Sequence, residues 1–166
     1  MNYKLRFFLF FTAMVLFNLA ANFAHPVTPT IIQDLHLPDY MFGLMLAAMQ
    51  ISNFLFSPFW GKVNGSISSR QTLLICCLGY GVAQLLFACA RTQLGILAVR
   101  VLAGVFVGGI FVSFLTYVIN TARPEDQAKY LTYSATIQAV FGAFGYLVGG
   151  ILGEFSIRGT FFLQAF

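Results

Sequence analysis

The chain has 166 residues, of which 59% are hydrophobic and only 8% charged, with 20 phenylalanines and a formal net charge of +4. A water-soluble domain has about a quarter of its residues charged, so this composition excludes an ordinary soluble fold and points to lipid as the solvent. The small positive balance forms no basic patch, which excludes nucleic acid as a partner and leaves charge as a signal of orientation.

The apolar pattern predicts an all-α, polytopic membrane bundle in a single transmembrane domain over 1–166. Helices are expected over 7–34, 40–60, 71–90, 94–121 and 128–153, with the start of a sixth over 159–166. Helix is the form such runs take in lipid, because every backbone N–H and C=O must be satisfied within the segment. The first run follows Lys4 and Arg6 and ends in AANFA, the layout of a secretory signal. Four more spans follow, and the polar residues of the first recur at helical spacing, so a retained membrane helix is the better reading. Pro26 and Pro29 are expected to kink that helix on its way to Asp34, and Pro38 with Asp39 to open the second. The last apolar run is cut at Phe166, which reads as a fragment of a longer protein.

Alternating the connections gathers Lys4, Arg6, Lys62, Arg70, Arg123 and Lys129 on one side. The other side holds Arg91 and Arg158 with Asp34, Asp39 and Glu154. Basic residues favour the cytoplasm, so the expectation is a multi-pass protein of the plasma (inner) membrane with its N-terminus cytoplasmic.

Polar residues inside the spans fall on faces. Asn18, Asn22 and His25 stand at i, i+4 and i+7 of the first span; Gln50, Asn53 and Ser57 share a face of the second; Tyr130, Ser134 and Gln138 step by four along the fifth; the third carries Gln84. Each could be interhelical glue worth about 1 kcal/mol or less. As a set they read as an internal polar path, because several helices offer such a face to neighbours or water. His25 is the one titratable side chain on those faces: a proton carrier, or a hydrogen-bonding histidine before a proline.

The fourth span contains one charge, Arg100. A guanidinium near the bilayer centre costs about 2.5–3.5 kcal/mol by insertion scales, so it requires partners; Asn18, Asn22 and carbonyls freed near Pro26 are the candidate acceptors. Gly104 and Gly108 follow Arg100 at four-residue steps, and Gly145, Gly149 and Gly153, with Gly150 beside them, do the same on the fifth span. Such spacing lets helix backbones approach. Cys76, Cys77 and Cys89 show no Cys/His ligand spacing, so no metal and no other cofactor is expected. No nucleophile–base or metal constellation points to an enzyme.

Three stretches resemble the major facilitator superfamily. GKVNGSISSRQTLL, 61–74, resembles its loop signature between helices two and three, G-x-L-a-D-R-x-G-R-K, through Gly61, Val63 and Arg70; Gly65 stands at the acid, Ser66 at the next arginine and Ser68 at the second glycine. RVLAGVFVGG, 100–109, is similar to the fourth-helix pattern R-x-x-x-G-x-x-x-G. GYLVGGILGE, 145–154, resembles the fifth-helix pattern G-P-x-x-G-G of the drug/proton antiporters with Tyr146 at the proline, and SPFWG, 57–61, resembles the end of that group's second helix.

The resemblance implies the N-terminal half of a twelve-helix transporter, built from inverted three-helix repeats around a central cavity. It implies proton-coupled efflux of small amphipathic organic compounds by alternating access, with Arg100 as a coupling element. Gly61, Lys62 and Arg70 would belong to a gating loop, in which helix-end carbonyls or lipid phosphates hold the two cations. The partners would be a small-molecule substrate, the lipid bilayer and the C-terminal half of the same chain; the fragment alone is not expected to transport. Glycine stripes would let helices rock, so Gly149→Leu is expected to impair transport more than folding. Uptake of an anionic metabolite through Arg100, and a membrane scaffold that transports nothing, are the alternatives.

Overall fold

A computed structural model describes residues 2–23, 25–156 and 159–160. It contains α1 (Tyr3–Asn22), α2 (Thr28–Asp34), α3 (Tyr40–Ser66), α4 (Ser69–Cys89), α5 (Gln93–Thr121) and α6 (Pro124–Phe155). All but the short α2 are long and apolar enough to cross a membrane. The chain is an all-helical bundle, and its lipid-exposed face is greasy: Phe54, Leu78 and Leu94 are exposed while Met14, Met45 and Ile110 are sealed inside.

Local chemistry sets the helix ends. The Asn2 side chain caps α1, Thr92 caps α5, and Ser68 with Gln71 forms a reciprocal capping box at α4. At α6, Pro124 occupies the first turn beside Glu125 and Asp126, where a missing N–H costs nothing and negative charge meets the positive end of the helix dipole.

Three spans differ by more than two residues from the sequence expectation, and the first of them already starts at Tyr3 rather than 7. The helix expected over 7–34 is two helices, because Pro26 has no N–H and its ring would strike the carbonyl four residues back, so α1 stops at Asn22. Pro29 then sits in the first turn of α2, where proline is tolerated. The second span does not close at Gly61 but runs to Ser66; Asn64 Nδ2 donates to the Trp60 carbonyl (3.0 Å) and Ser66 Oγ to that of Lys62 (3.3 Å), so the polar turn folds onto its own helix. The fifth span begins at Pro124 and ends at Phe155, wider than 128–153. Of the run 159–166, only Gly159 and Thr160 are described; 161–166, like Arg158, lie outside the described residues.

The closest helix pairs are α3 with α5, α4 with α5, and α1 with α6. Glycines make two of these approaches. A Cβ on Gly104 would collide with the Met49 carbonyl oxygen, and one on Gly108 would stand 2.8 Å from Asn53 Oδ1, so this stripe of α5 lies against the backbone of α3. On α6, Gly145 lies against Leu19 and Asn22, Gly149 against the Phe23 carbonyl, and Gly153 against Val27. Gly109, not anticipated, lies against Cys76 and Trp60. Gly150 is a correction: one position out of register with its stripe, it opens onto empty space and packs against no helix.

At the end carrying the N-terminus, aromatic rings join α1, α5 and α6. Phe10 stacks on Tyr117 with centroids 4.5 Å apart and Phe7 on Tyr130 at 4.1 Å; each such pair contributes about 0.5–1.5 kcal/mol beyond its burial. Tyr3 Oη donates to Asp126 Oδ2 at 3.0 Å beside them.

The glycine geometry assigns the cost of Gly149→Leu to the fold itself, against the expectation that transport would suffer first, because the obstacle is backbone rather than a movable side chain. Gly104→Ala and Gly149→Ala are expected to lower stability by about 1–3 kcal/mol, the usual cost of overpacking. Gly43→Ala and Gly150→Ala, which meet nothing within 4 Å, are expected to leave it unchanged or slightly raised. Unfolding in mixed detergent micelles reads the difference.

Candidate functional site

Arg100 is 3% exposed and points neither at lipid nor at open water. Its Nη2 donates to Thr28 Oγ1 at 3.2 Å, its Nη1 lies 4.0 Å from Met49 Sδ, and its guanidinium carbon sits 4.0 Å from the centre of the Phe87 ring. The desolvated cation–π contact is worth about 2 kcal/mol and a hydrogen bond to a charged group about 1.5–3 kcal/mol, so together they are large enough to offset the insertion cost of roughly 2.5–3.5 kcal/mol. Nε has no hydrogen-bond partner among the described residues.

The expected acceptors are a correction. Asn18 Nδ2 donates to the Met14 carbonyl (2.8 Å) and Asn22 Nδ2 to that of Asn18 (2.7 Å), both within α1. Back-bonding to the fourth residue before is the local choice open to a short amide on a helix. The break at Pro26 does supply the partner, through the Thr28 hydroxyl rather than a freed carbonyl.

Next to Arg100 lies a cavity of about 350 Å³. α1 and the turn after it contribute Asn18, Ala21, Asn22 and His25; α3 contributes Phe42, Leu46, Met49 and Gln50; Tyr80, Val107, Phe111 and Tyr146 close it from α4, α5 and α6. Helix α1 can carry its amides here because the glycine stripe of α6 fixes its rotation. Tyr80 Oη donates to the Ala21 carbonyl at 3.4 Å, bracing α4 to the last turn of α1. His25 stacks on Tyr146, ring centres 5.4 Å apart and planes 23° apart, so the rim joins the end of α1 to α6.

Asn18, Asn22, His25 and Gln50 therefore share one cavity, while Arg100 stands one side chain behind its wall, screened by Met49. Asn53 and Gln138 do not line it; Asn53 accepts from Ser57 Oγ at 3.2 Å beside Gly108, and Gln138 is half-buried. Gln84 is 1% exposed, with neither amide atom hydrogen-bonded among the described residues.

The gating-loop placement is a correction: Gly61 and Lys62 are exposed in the last turns of α3, and Arg70 lies in the first turn of α4. Arg70 Nη2 donates to Tyr117 Oη at 3.4 Å and the guanidinium lies 5.7 Å from that ring's centre, so a phenol, not a helix-end carbonyl, holds it. The sequence reading missed Thr28, Tyr80, Phe87 and Tyr146. Thr28 carried a usable signal, a hydroxyl two residues after the helix-breaking Pro26.

A sequence profile of the Major Facilitator Superfamily matches residues 8–166. Multidrug resistance protein 1 of Bacillus subtilis (strain 168) is 30% identical over 141 residues, 84% of this chain and 36% of that protein. Quinolone resistance protein NorA of Staphylococcus aureus (strain MRSA252) is 28% identical over 157 residues, 94% of this chain and 40% of that protein. The chain thus spans about two fifths of the length of these curated relatives.

Thr28→Val is expected to cost about 1.5–3 kcal/mol by stripping Arg100 of its hydroxyl acceptor, and Phe87→Leu about 2 kcal/mol through the lost ring. If unfolding in mixed micelles shows both variants as stable as the parent, Arg100 is not held as described.

Proposed function

Because the chain belongs to the major facilitator superfamily, we propose that it forms the N-terminal half of a secondary active transporter that moves small amphipathic organic compounds outward in exchange for protons. The observation that carries the reading is the cavity: aromatic and aliphatic walls with a few amides from α1 and α3. Greasy walls with sparse polar groups suit ligands that pair an apolar body with a few polar atoms. Matched relatives bear multidrug- and quinolone-resistance names, which agrees with that ligand class.

In this reading Asn18, Asn22 and Gln50 orient the solute, and the stacked His25–Tyr146 pair closes the rim. Arg100 shifts between partners as the cavity changes access, with its counter-charge supplied by the C-terminal half. Gly61 and Lys62, at the end of α3, and Arg70, at the start of α4, flank the gating turn at the cytoplasmic end. Because the chain spans about two fifths of its relatives, transport belongs to both halves together and the chain alone does not transport.

One observation favours a second reading, uptake of an organic anion: no carboxylate lines the cavity, and a buried guanidinium stands behind its wall.

The test uses the complete two-half transporter in everted membrane vesicles. Uptake of an amphipathic fluorescent dye is expected to follow an imposed proton gradient and to collapse with a protonophore. Arg100→Lys is expected to slow it about tenfold or more, the equivalent of one lost charge-assisted hydrogen bond. Dye movement indifferent to the gradient would sink proton coupling. Transport confined to carboxylates would favour the second reading, and no transport of either class would leave a scaffold.

A further inference from the structure

The end of the bundle that carries the N-terminus holds two cavities that share one wall: Arg6, Ser69, Arg70 and Tyr117. One, of about 370 Å³, is polar, with Asn64, Ser68, Asn120 and Thr121 completing it. The other, of about 350 Å³, continues between α1 and α4 over Leu9, Phe10, Ala13 and Leu73. They lie where α1 and α4 are kept apart, since α4 packs on α5 while α1 packs on α6. A cationic, hydroxyl-rich chamber thus opens into an apolar slot.

Among the described residues, neither Arg6 nor Arg70 has an ion-pair partner. No Asp or Glu lines either cavity. The two acids in the first turn of α6 are engaged elsewhere: Asp126 accepts from Tyr3 Oη, and Glu125 lies 4.0 Å from Arg123 in the one ion pair among the described residues. Arg70 makes a single long hydrogen bond, 3.4 Å to Tyr117 Oη, leaving most of its five donors to other partners. The same end gathers Lys4, Lys62, Arg123 and Lys129, the bias that marks the cytoplasmic leaflet, whose surface is anionic.

We propose that Arg6 and Arg70 form a phospholipid site: the phosphate sits between the two guanidiniums in the polar chamber, and an acyl chain follows the slot between α1 and α4. A guanidinium fork matches phosphate geometry, and the adjoining apolar slot distinguishes a lipid from a free anion. The site is separate from the cavity around Asn18 and does not depend on what that cavity carries.

Full-length protein purified in detergent is titrated with short-chain phosphatidylglycerol, and in a second series with inorganic phosphate, while native mass spectrometry counts bound lipid. One phosphatidylglycerol is expected to survive detergent exchange. Arg6→Gln combined with Arg70→Gln is expected to weaken its binding about thirtyfold, since each basic residue at an anionic surface contributes about fivefold. Arg123→Gln, whose partner is Glu125, is expected to bind like the parent. Should the double variant fail to fold, Arg6→Gln alone carries the test with about a fivefold loss. Equal binding by parent and glutamine variants overturns the proposal. So does displacement of the lipid by inorganic phosphate at equal concentration, which would make the site one for a free anion.

Discussion

A permanently charged group sealed away from both water and lipid must find every favourable contact inside the protein, and at Arg100 those contacts come from three other helices. The side chain leaves α5, meets a hydroxyl on α2, a thioether on α3 and an aromatic face on α4. Pulling any of these elements away would leave the cation buried with less compensation, so the arginine acts as a constraint on their relative placement. Lipid supplies no hydrophobic pressure between helices, and such a node does part of what a greasy core does in water.

Close backbone contact supplies the rest. The first and fifth spans meet through Gly145 and Gly149, and the second and fourth through Gly104 and Gly108. Exchanging first with fourth and second with fifth turns one pair into the other, the relation that a repeat of three spans requires. The glycines do not follow that exchange, since they stand on the later helix in both pairs. Pairing is therefore repeated more faithfully than the residues that produce it. The amides that the first span turns into the cavity depend on this contact, for any larger residue on α6 would push α1 outward.

The number of spans and their helical form were legible from hydropathy, because a run of apolar residues in lipid has one way to satisfy its backbone. Boundaries were less so: Asn64 and Ser66 read as loop residues, yet their side chains bond back and prolong α3. The cavity was half legible. Asn18, Asn22, His25 and Gln50 stood out as polar groups in a greasy setting, while Met49 and Phe111 could not. A membrane helix has apolar residues on every side, so nothing in the sequence tells Met49, which is buried, from Ile51, which faces lipid. Arg100 announced that it needed partners without naming them, since Thr28 and Phe87 come from segments distant in the chain.

Among the described residues, the ring stacks that fasten α1 to α5 and α6 near Tyr3, Phe7 and Phe10 have no counterpart of equal density at the other end, where His25, just after α1, stacks on Tyr146. Rings fasten one tip of this pair of rods, and bare backbone at Gly145 and Gly149 fastens the other. The first tip can trade one ring for another of similar bulk, whereas the second, beside the cavity's rim, admits no side chain at all at those two positions.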